Sequence, residues 1–554
     1  MAIVPETLEQ IIRTFGRTLE AWYSSQIYQK LVARNAKHIL VRLNDLIDFG
    51  PLEVGCVSYL HSSGPGAKPT HTVQRMVRIQ FVRCLYNWSL RETEEQLDNN
   101  LLVRWFVGYG ILEAVPDHST LDRFEQWVNE KQHRLYFDTI LQQIEIAFPE
   151  VRAGAQVGDT YACQANAAME GLIGVLRHTS RLIMRWLSQG APEIHAVLLA
   201  QLDVVQLFGP ADERNDYYLS EAEQQQRKDC TVRGAWQLLQ LLEPHLESLA
   251  KPLKTEVSER VADLRKIIAD EYSYQVDEHN QLQALVERDA KHKGGYRVAS
   301  ATDREATYRK HGEDLALGYN VSLAAHAETG FICEIQAATG AEPDQAGVAR
   351  LIEEQREQRG LCPEKLIYDQ AAGAGRTRAE VDRVSFGQTQ LVAGIPPLSV
   401  GGRFTPEDFK FDGNESLICP AGRSTNCRYR AGKQDAWQYE FSAKTCRDCP
   451  LWSQCHEDGA RLTGPRRVFI SDYQEQIRQA RLYNHSADFK ADMRLRPRVE
   501  RFIFMLTHYD GARRARSRSL MAVDFQAKMC ATVRNLRTWI LLLDQRALIV
   551  SVSQ

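Results

Sequence analysis

The strongest constraint on this chain is a break in its sheet-forming text. The run AQVGDTYACQANA alternates like a strand and carries Asp159 near its end. The next strand-like runs, LGYNVSLAAHAE and GFICEIQAATG, come only after a long helical stretch, and the turn between them makes them a β-hairpin. DQAGVARLIEEQREQRG then has the spacing of an amphipathic helix, and EKLIYDQ reads as a strand ending in Asp369. Strand, hairpin, helix, strand is the order of an α/β sheet. Polar ends of central strands are where such sheets place their chemistry. The intervening residues 170–294, with EQQQRKDCTVRGAWQLLQLLE and EVSERVADLRKIIADEYSYQV, read as a helical insertion that the sheet must close around.

Residues 1–150 read as an all-α domain. HSSGPGAKPT is a loop, after which Val73, Met76, Val77, Phe81 and Leu85 recur at helical spacing. Ser89 followed by Glu92 is a capping box that starts the next helix. PDHSTLDRFEQWV starts another, with Ser119 or Thr120 as its cap. Short helices joined by tight turns suit helix-turn-helix DNA binding, and equally an ordinary bundle. The remaining plan is a core in two parts, 151–169 and 295–410, a cysteine-rich insertion at 411–470, and C-terminal helices at 471–554.

Composition narrows the class. At 554 residues the chain is long enough for two to four domains. No run of ~18 apolar residues is present, and MAIVPETLEQ lacks the layout of a signal peptide. The expectation is a cytoplasmic protein with no membrane partner. A formal net charge of -3 excludes nucleic-acid affinity from bulk charge, so it must come from a local patch. One such run holds Arg494, Arg496, Arg498, Arg501, Arg513, Arg514, Arg516 and Arg518 against only Glu500 and Asp510. Alone, such a run is more often a solvated face.

Five of the 12 cysteines lie between Cys419 and Cys455, in CPAGRSTNC and CRDCPLWSQC. Without an export signal, clustering argues for metal rather than disulfides. Four thiolates close a tetrahedral Zn²⁺ site. The favoured set is Cys419, Cys446, Cys449 and Cys455, with Cys427 or His456 as the alternate. A set of reduced free thiols is the other reading.

Several strings, in consistent order from about residue 70 to 540, resemble DDE transposases of bacterial insertion sequences, whose catalytic core is RNase H-like. SLRETEEQLDNNLLVRWFVGYGILEAVPDHSTLDRF is similar to their N-terminal transposase domain. GDTYACQANA resembles the first catalytic strand, and ATDREATYRKHGEDLALGYNV the segment leading into the hairpin. LRPRVERFIFMLTHYDGARRARSRSL resembles the helix bearing the last acid. The resemblance implies an RNase H-like mixed sheet with helical and cysteine-rich insertions. It also implies Asp159, Asp369 and Glu500 as a metal-binding triad, separated by 369 - 159 = 210 and 500 - 369 = 131 residues. Asp303 and Asp344 compete with Asp369, and Asp303, in a loop before the hairpin, ranks as auxiliary or structural. One related group has tyrosine and lysine on the acid helix where this chain has Met493 and Thr507.

The chemistry accounts for the residue types. Two Mg²⁺ (or Mn²⁺) ions held by carboxylates can activate water or a 3′-hydroxyl and stabilise the leaving oxygen of a phosphodiester. Arg496, Arg498 and Arg501 would position the phosphate, and Arg496 shares a helical face with Glu500. The implied partners are double-stranded DNA, as element ends and target, and further copies of the chain on that DNA. Two other readings remain open: a DNA-binding protein that has lost catalysis, and an RNase H-like nuclease that cuts without joining.

Overall fold

The computed structural model describes residues 5–61, 70–278, 282–311, 314–395, 403–412, 415–431, 435–456 and 465–553. Most of the HSSGPGAKPT loop lies outside the described residues. The architecture is mixed α/β, with helices throughout the N-terminal region and a six-stranded mixed sheet.

A long first helix, Pro5–Arg34, precedes a set of short ones. Val73–Tyr86 is started by the Thr72 hydroxyl, which accepts from the Arg75 N–H, and ends at Asn87 with φ 58. Ser89 and Glu92 form the expected capping box of Leu90–Asn99. One expectation is corrected: the helix His118–Lys131 is capped by Asp117, not by Ser119 or Thr120. The carboxylate takes the Thr120 N–H, and a charged acceptor at a helix start is favoured by the dipole as well as by the hydrogen bond.

These helices are not a detachable head. Their core, including Phe81, Phe106, Phe124 and Ile140, is continuous with Phe331 and Cys333 beside the sheet and with Phe525, Met529, Val533 and Trp539 of the C-terminal helix Leu520–Ser553. Cutting the chain near residue 135 would expose that face on both sides.

The sheet is built on one long strand, Asp314–His326. One edge pairs antiparallel with Gln156–Gln164 along its whole length. The other pairs with Thr307–His311 and then with Ile332–Thr339, which completes the expected hairpin. Beyond Gln156–Gln164 come two short parallel strands, Lys365–Ile367 and Gln390–Val392. The helix Ala346–Arg359 connects Ile332–Thr339 to Lys365–Ile367. Asp159 is the fourth residue of its nine-residue strand rather than near its end, because antiparallel pairing continues past it to Gln164.

Between Leu172 and Glu271 lie three long helices and several short ones around a core of their own, with Leu176, Ile183, Leu239 and Ile268 at its centre. The insertion expected at 170–294 is not wholly helical: Tyr272–Val276 and Leu282–Glu287 form a hairpin. The cysteine-rich region is two small three-stranded sheets. Among the described residues their core is Phe409, Leu417, Tyr439, Phe441, Val468 and Ile470.

Candidate active site

The first two acids meet because of strand register. Gln156 pairs with Leu366 and Val157 with Ile367. Two residues further along in each case stand Asp159, still within its strand, and Asp369, just past the end of Lys365–Ile367, where the parallel ladder has ended. Each is held at its own backbone: the Thr160 N–H donates to Asp159 Oδ1 at 2.8 Å, and the Ala371 N–H donates to Asp369 Oδ1 at 3.1 Å.

The opposite face of the sheet fastens the same pair. Alternation turns Thr160 and Tyr368 away from the acids. Their hydroxyls lie 2.9 Å apart, and Thr160 Oγ1 is 3.0 Å from Ser322 Oγ. Gly158 makes room for this packing, since a Cβ there would stand 2.7 Å from the Tyr368 ring. Residue 160 is thus tied to residue 368 across the point where backbone pairing stops.

The third acid arrives on a helix that is broken, not continuous. Ala487–Met493 ends in a turn, and Arg498–Tyr509 starts after Pro497, which has no N–H to extend the earlier ladder. Val499 and Leu506 seat the second helix against the sheet core. Glu500, in its first turn, is left with a 68% exposed side chain. Arg496, in the turn just before, reaches both ways. One guanidinium nitrogen donates to Glu500 Oε1 at 2.7 Å and another to Asp159 Oδ2 at 2.7 Å. Burial pushes the Asp159 carboxyl up; the Thr160 N–H and Arg496 pull it down, and neighbouring Asp369 pushes it up again. Asp159 thus faces a cation and another acid at once.

The other nearby residues separate clearly. Asp303 is buried and accepts the Tyr319 hydroxyl, whereas Asp344 lies 3.4 Å from the Asn320 amide. Arg498 donates to the Ala327 carbonyl at 2.7 Å, fixing the helix to the end of the hairpin. Arg501 is exposed. Thr507 bonds back to the Ile503 carbonyl within its helix. Asp510, the second acid counted against the arginine run, is buried and receives Arg534 Nε at 2.6 Å. It therefore offsets nothing on the surface.

Cys419, Cys446, Cys449, Cys455 and His456 line one small enclosed cavity. Burial raises the Cys446 and Cys455 thiols, and the neighbouring thiols raise them further. His456 stacks on Trp452 at 3.7 Å, and its Nε2 is buried with no partner among the described residues. Cys427 is exposed and stands apart, with its thiol against the Tyr429 hydroxyl. Among the described residues, no three His, Cys, Asp or Glu side chains are drawn in to ligating distance. Neither the acids nor the thiols form a closed coordination shell.

Fold and site together define an α/β protein with one aspartate in a central strand and a second just past the end of the neighbouring one, a helix-borne glutamate and an arginine-rich C-terminal helix pair behind a helical N-terminal region. Residues 28–127 match the family described as Transposase domain (DUF772), and residues 418–540 match the Transposase DDE domain. In that order on one chain, the two matches support an insertion-sequence DDE transposase. No curated protein and no solved structure matches the chain. The second match takes in Glu500 and the cysteines, whereas Asp159 and Asp369 lie outside both.

Among the described residues no helix is long and apolar enough to cross a membrane. The signal that sequence reading missed is the Thr160–Tyr368 tie. Both residues directly flank acids in the sequence, but only register reveals that they meet.

Proposed function

We propose that this chain is a DNA transposase that cuts the ends of a mobile element and joins them to a target, using Asp159, Asp369 and Glu500 to hold two divalent ions in an RNase H-like core. The carrying observation is that one guanidinium bridges two acids remote in sequence, Asp159 and Glu500, while a third, Asp369, bears on the first. Asp369 lies two residues past the last parallel pair and its charge bears on Asp159, and Arg496 bridges Asp159 to Glu500. Arginines shared between acids also serve as structural links, as Arg134 does; at Arg496 one of the two acids is exposed to solvent and the other stands beside a further aspartate, so the arginine offsets a surplus of negative charge.

The donor set suits Mg²⁺ or Mn²⁺, being carboxylate oxygens with open sides for water and phosphate. When bound, such ions would stabilise charge on the attacking and leaving oxygens of a phosphodiester. The chain supplies the rest. The sheet fixes Asp159 and Asp369 through backbone hydrogen bonds and the Thr160–Tyr368 tie. Glu500, exposed on its helix, can adjust to what the two aspartates hold. Arg496 balances the acids in the free protein, and its guanidinium fork also matches a phosphate. Arg501 offers a further exposed charge beside Glu500.

The thiol cavity fits a structural Zn²⁺ held by Cys419, Cys446, Cys449 and Cys455. The orphaned His456 Nε2 makes that residue the best substitute ligand. Joining two element ends to one target also calls for several copies acting together on DNA.

The test is cleavage of a duplex carrying the inverted repeats that border the reading frame, with Mg²⁺ supplied. Strand cleavage that is lost in Asp369→Asn supports the proposal. Cleavage unchanged in that variant would remove the residue that most separates this site from a surface acid cluster.

A further inference from the structure

The strand and the helix that carry the acids also lead away from them to a common place. Gln156–Gln164 runs from Asp159 to Gln164, five residues or about 17 Å of strand. The acid helix runs from Glu500 to His508, eight residues or about 12 Å. At their far ends lies a groove of about 780 Å³. Its floor is the loop Gly511–Ser517, and its other wall is the turn Asn87–Ser89 of the N-terminal region, with Trp88 half-buried in it.

This loop is rigidly presented. The Gln164 N–H donates to the Arg513 carbonyl at 2.9 Å, and the Ala515 N–H donates to the Gln164 carbonyl at 2.8 Å. Residue 514 thereby extends the sheet beside Gln164 in a parallel bridge. The Gln526 side-chain amide donates to the Gly511 and Arg514 carbonyls, at 2.8 Å each. Arg516 crosses the groove to the Asn87 side chain, joining the two walls.

Arg513 and Arg514 are exposed, and among the described residues neither has an ion-pair partner. The acids of the groove are already engaged. Glu92 accepts the Ser89 N–H at 2.7 Å in its capping box, Glu125 pairs with Arg83, and Asp122 accepts the Gln126 amide at 2.8 Å. Two unneutralised guanidinium groups on a pinned backbone are arranged for a fixed row of anions rather than for a single mobile one.

We propose that this groove holds the sugar-phosphate backbone of duplex DNA about four or five nucleotides from the phosphate at the acids. That spacing follows from 12–17 Å of protein against roughly 3.4 Å per nucleotide of strand. Arg513 and Arg514 contact phosphates there, and the N-terminal region bears on the DNA from the opposite wall. The proposal rests on the transposase reading, since it places one DNA relative to the acid site.

The experiment is equilibrium binding of the full chain to a 40-base-pair duplex across a salt series, in the absence of divalent metal. Each phosphate neutralised contributes about 0.9 to the slope of log K against log salt. The Arg513→Ala, Arg514→Ala double variant should show a slope shallower by about 1.8 and at least tenfold weaker binding at moderate salt. The Arg513→Lys, Arg514→Lys pair should recover most of the slope. If alanine lowers the melting temperature, the same comparison is made with Arg513→Gln, Arg514→Gln, which keeps the polar stems. A steep wild-type slope left unchanged in the double variant overturns the groove assignment alone. A wild-type chain with no salt-dependent affinity for duplex overturns the transposase reading and this inference with it.

Discussion

The acid site and the cysteine cavity both gather side chains suited to metal, and they do so by opposite means. Four cysteines lie within 37 residues, and among the described residues the small sheets around them bury six core side chains. There the fold has little stability of its own, so a bound ion would supply it. Three carboxylates span more than three hundred residues and are brought together by a sheet and helix whose core is already large. There the fold is stable first, and the acids are an electrostatic cost on top of it. The cysteine cavity leaves a histidine nitrogen unpartnered; the acid site instead has its own cation, Arg496, placed between two acids. A site whose ion is part of the fold keeps an opening for it, whereas a site that exchanges its ions with substrate needs a resident charge for the interval.

Four sets of substitutions would break or sharpen that contrast. The largest effect is expected at the acids. Asp159→Asn, Asp369→Asn or Glu500→Gln removes a metal oxygen at nearly constant size. A loss of ~4 kcal/mol of charge stabilisation is about 10³-fold in cleavage rate. The melting temperature should hold or rise, because a repelling charge is lost; a melting temperature that collapses would make the acids structural.

Cys446→Ser with Cys449→Ser should act in reverse. Purified wild-type protein should carry about one zinc per chain. The double variant should lose it together with several kcal/mol of stability in this region, read by elemental analysis and thermal melting. Cleavage per folded molecule should fall far less than in an acid variant. Zinc-free wild-type protein, or an unchanged melting temperature, would reduce the cavity to free thiols.

Arg496→Ala should tighten Mn²⁺ binding to the free protein about tenfold, through removal of a cation a few ångströms from two ligands, as measured by the paramagnetic resonance of free Mn²⁺. It should also slow cleavage. Weaker Mn²⁺ binding would mean that Arg496 only props the acids in place. The smallest effect is expected at Tyr368→Phe, which loses one hydrogen bond worth ~1 kcal/mol of stability. Its cleavage rate should drop more than that figure implies, since it fastens the two aspartates. A rate unchanged within twofold would remove the tie from the catalytic account.

Much of this was legible in the sequence, and what was not has physical causes. Periodicity revealed the hairpin at 317–340, the connecting helix and the capping box at Ser89, because each is a local pattern. The cap at Asp117 is not distinguishable in the sequence because Asp, Ser and Thr fall within four residues, and all can cap. Asp159 reads as lying near a strand end because its neighbours after Tyr161 alternate weakly, and only pairing with Asp314–His326 shows that the strand continues. The packing of the N-terminal helices onto the C-terminal helix has no local signature at all. Arg496 and Glu500 were legible as neighbours from their spacing, but the reach of Arg496 to Asp159 joins residues 337 apart and needs the fold.

The central claim, that Asp159 and Asp369 are metal ligands, is tested most directly by changing the donor atom. Asp369→Cys replaces a carboxylate with a softer sulfur ligand, which Mg²⁺ disfavours and Mn²⁺ tolerates better. With duplex carrying the element ends as substrate, the account expects this variant to be inactive in Mg²⁺ and to regain measurable cleavage in Mn²⁺. Asp369→Ala should stay inactive in both. Equal activity of the cysteine variant with the two metals, or recovery by the alanine variant in Mn²⁺, would contradict a ligand role for Asp369.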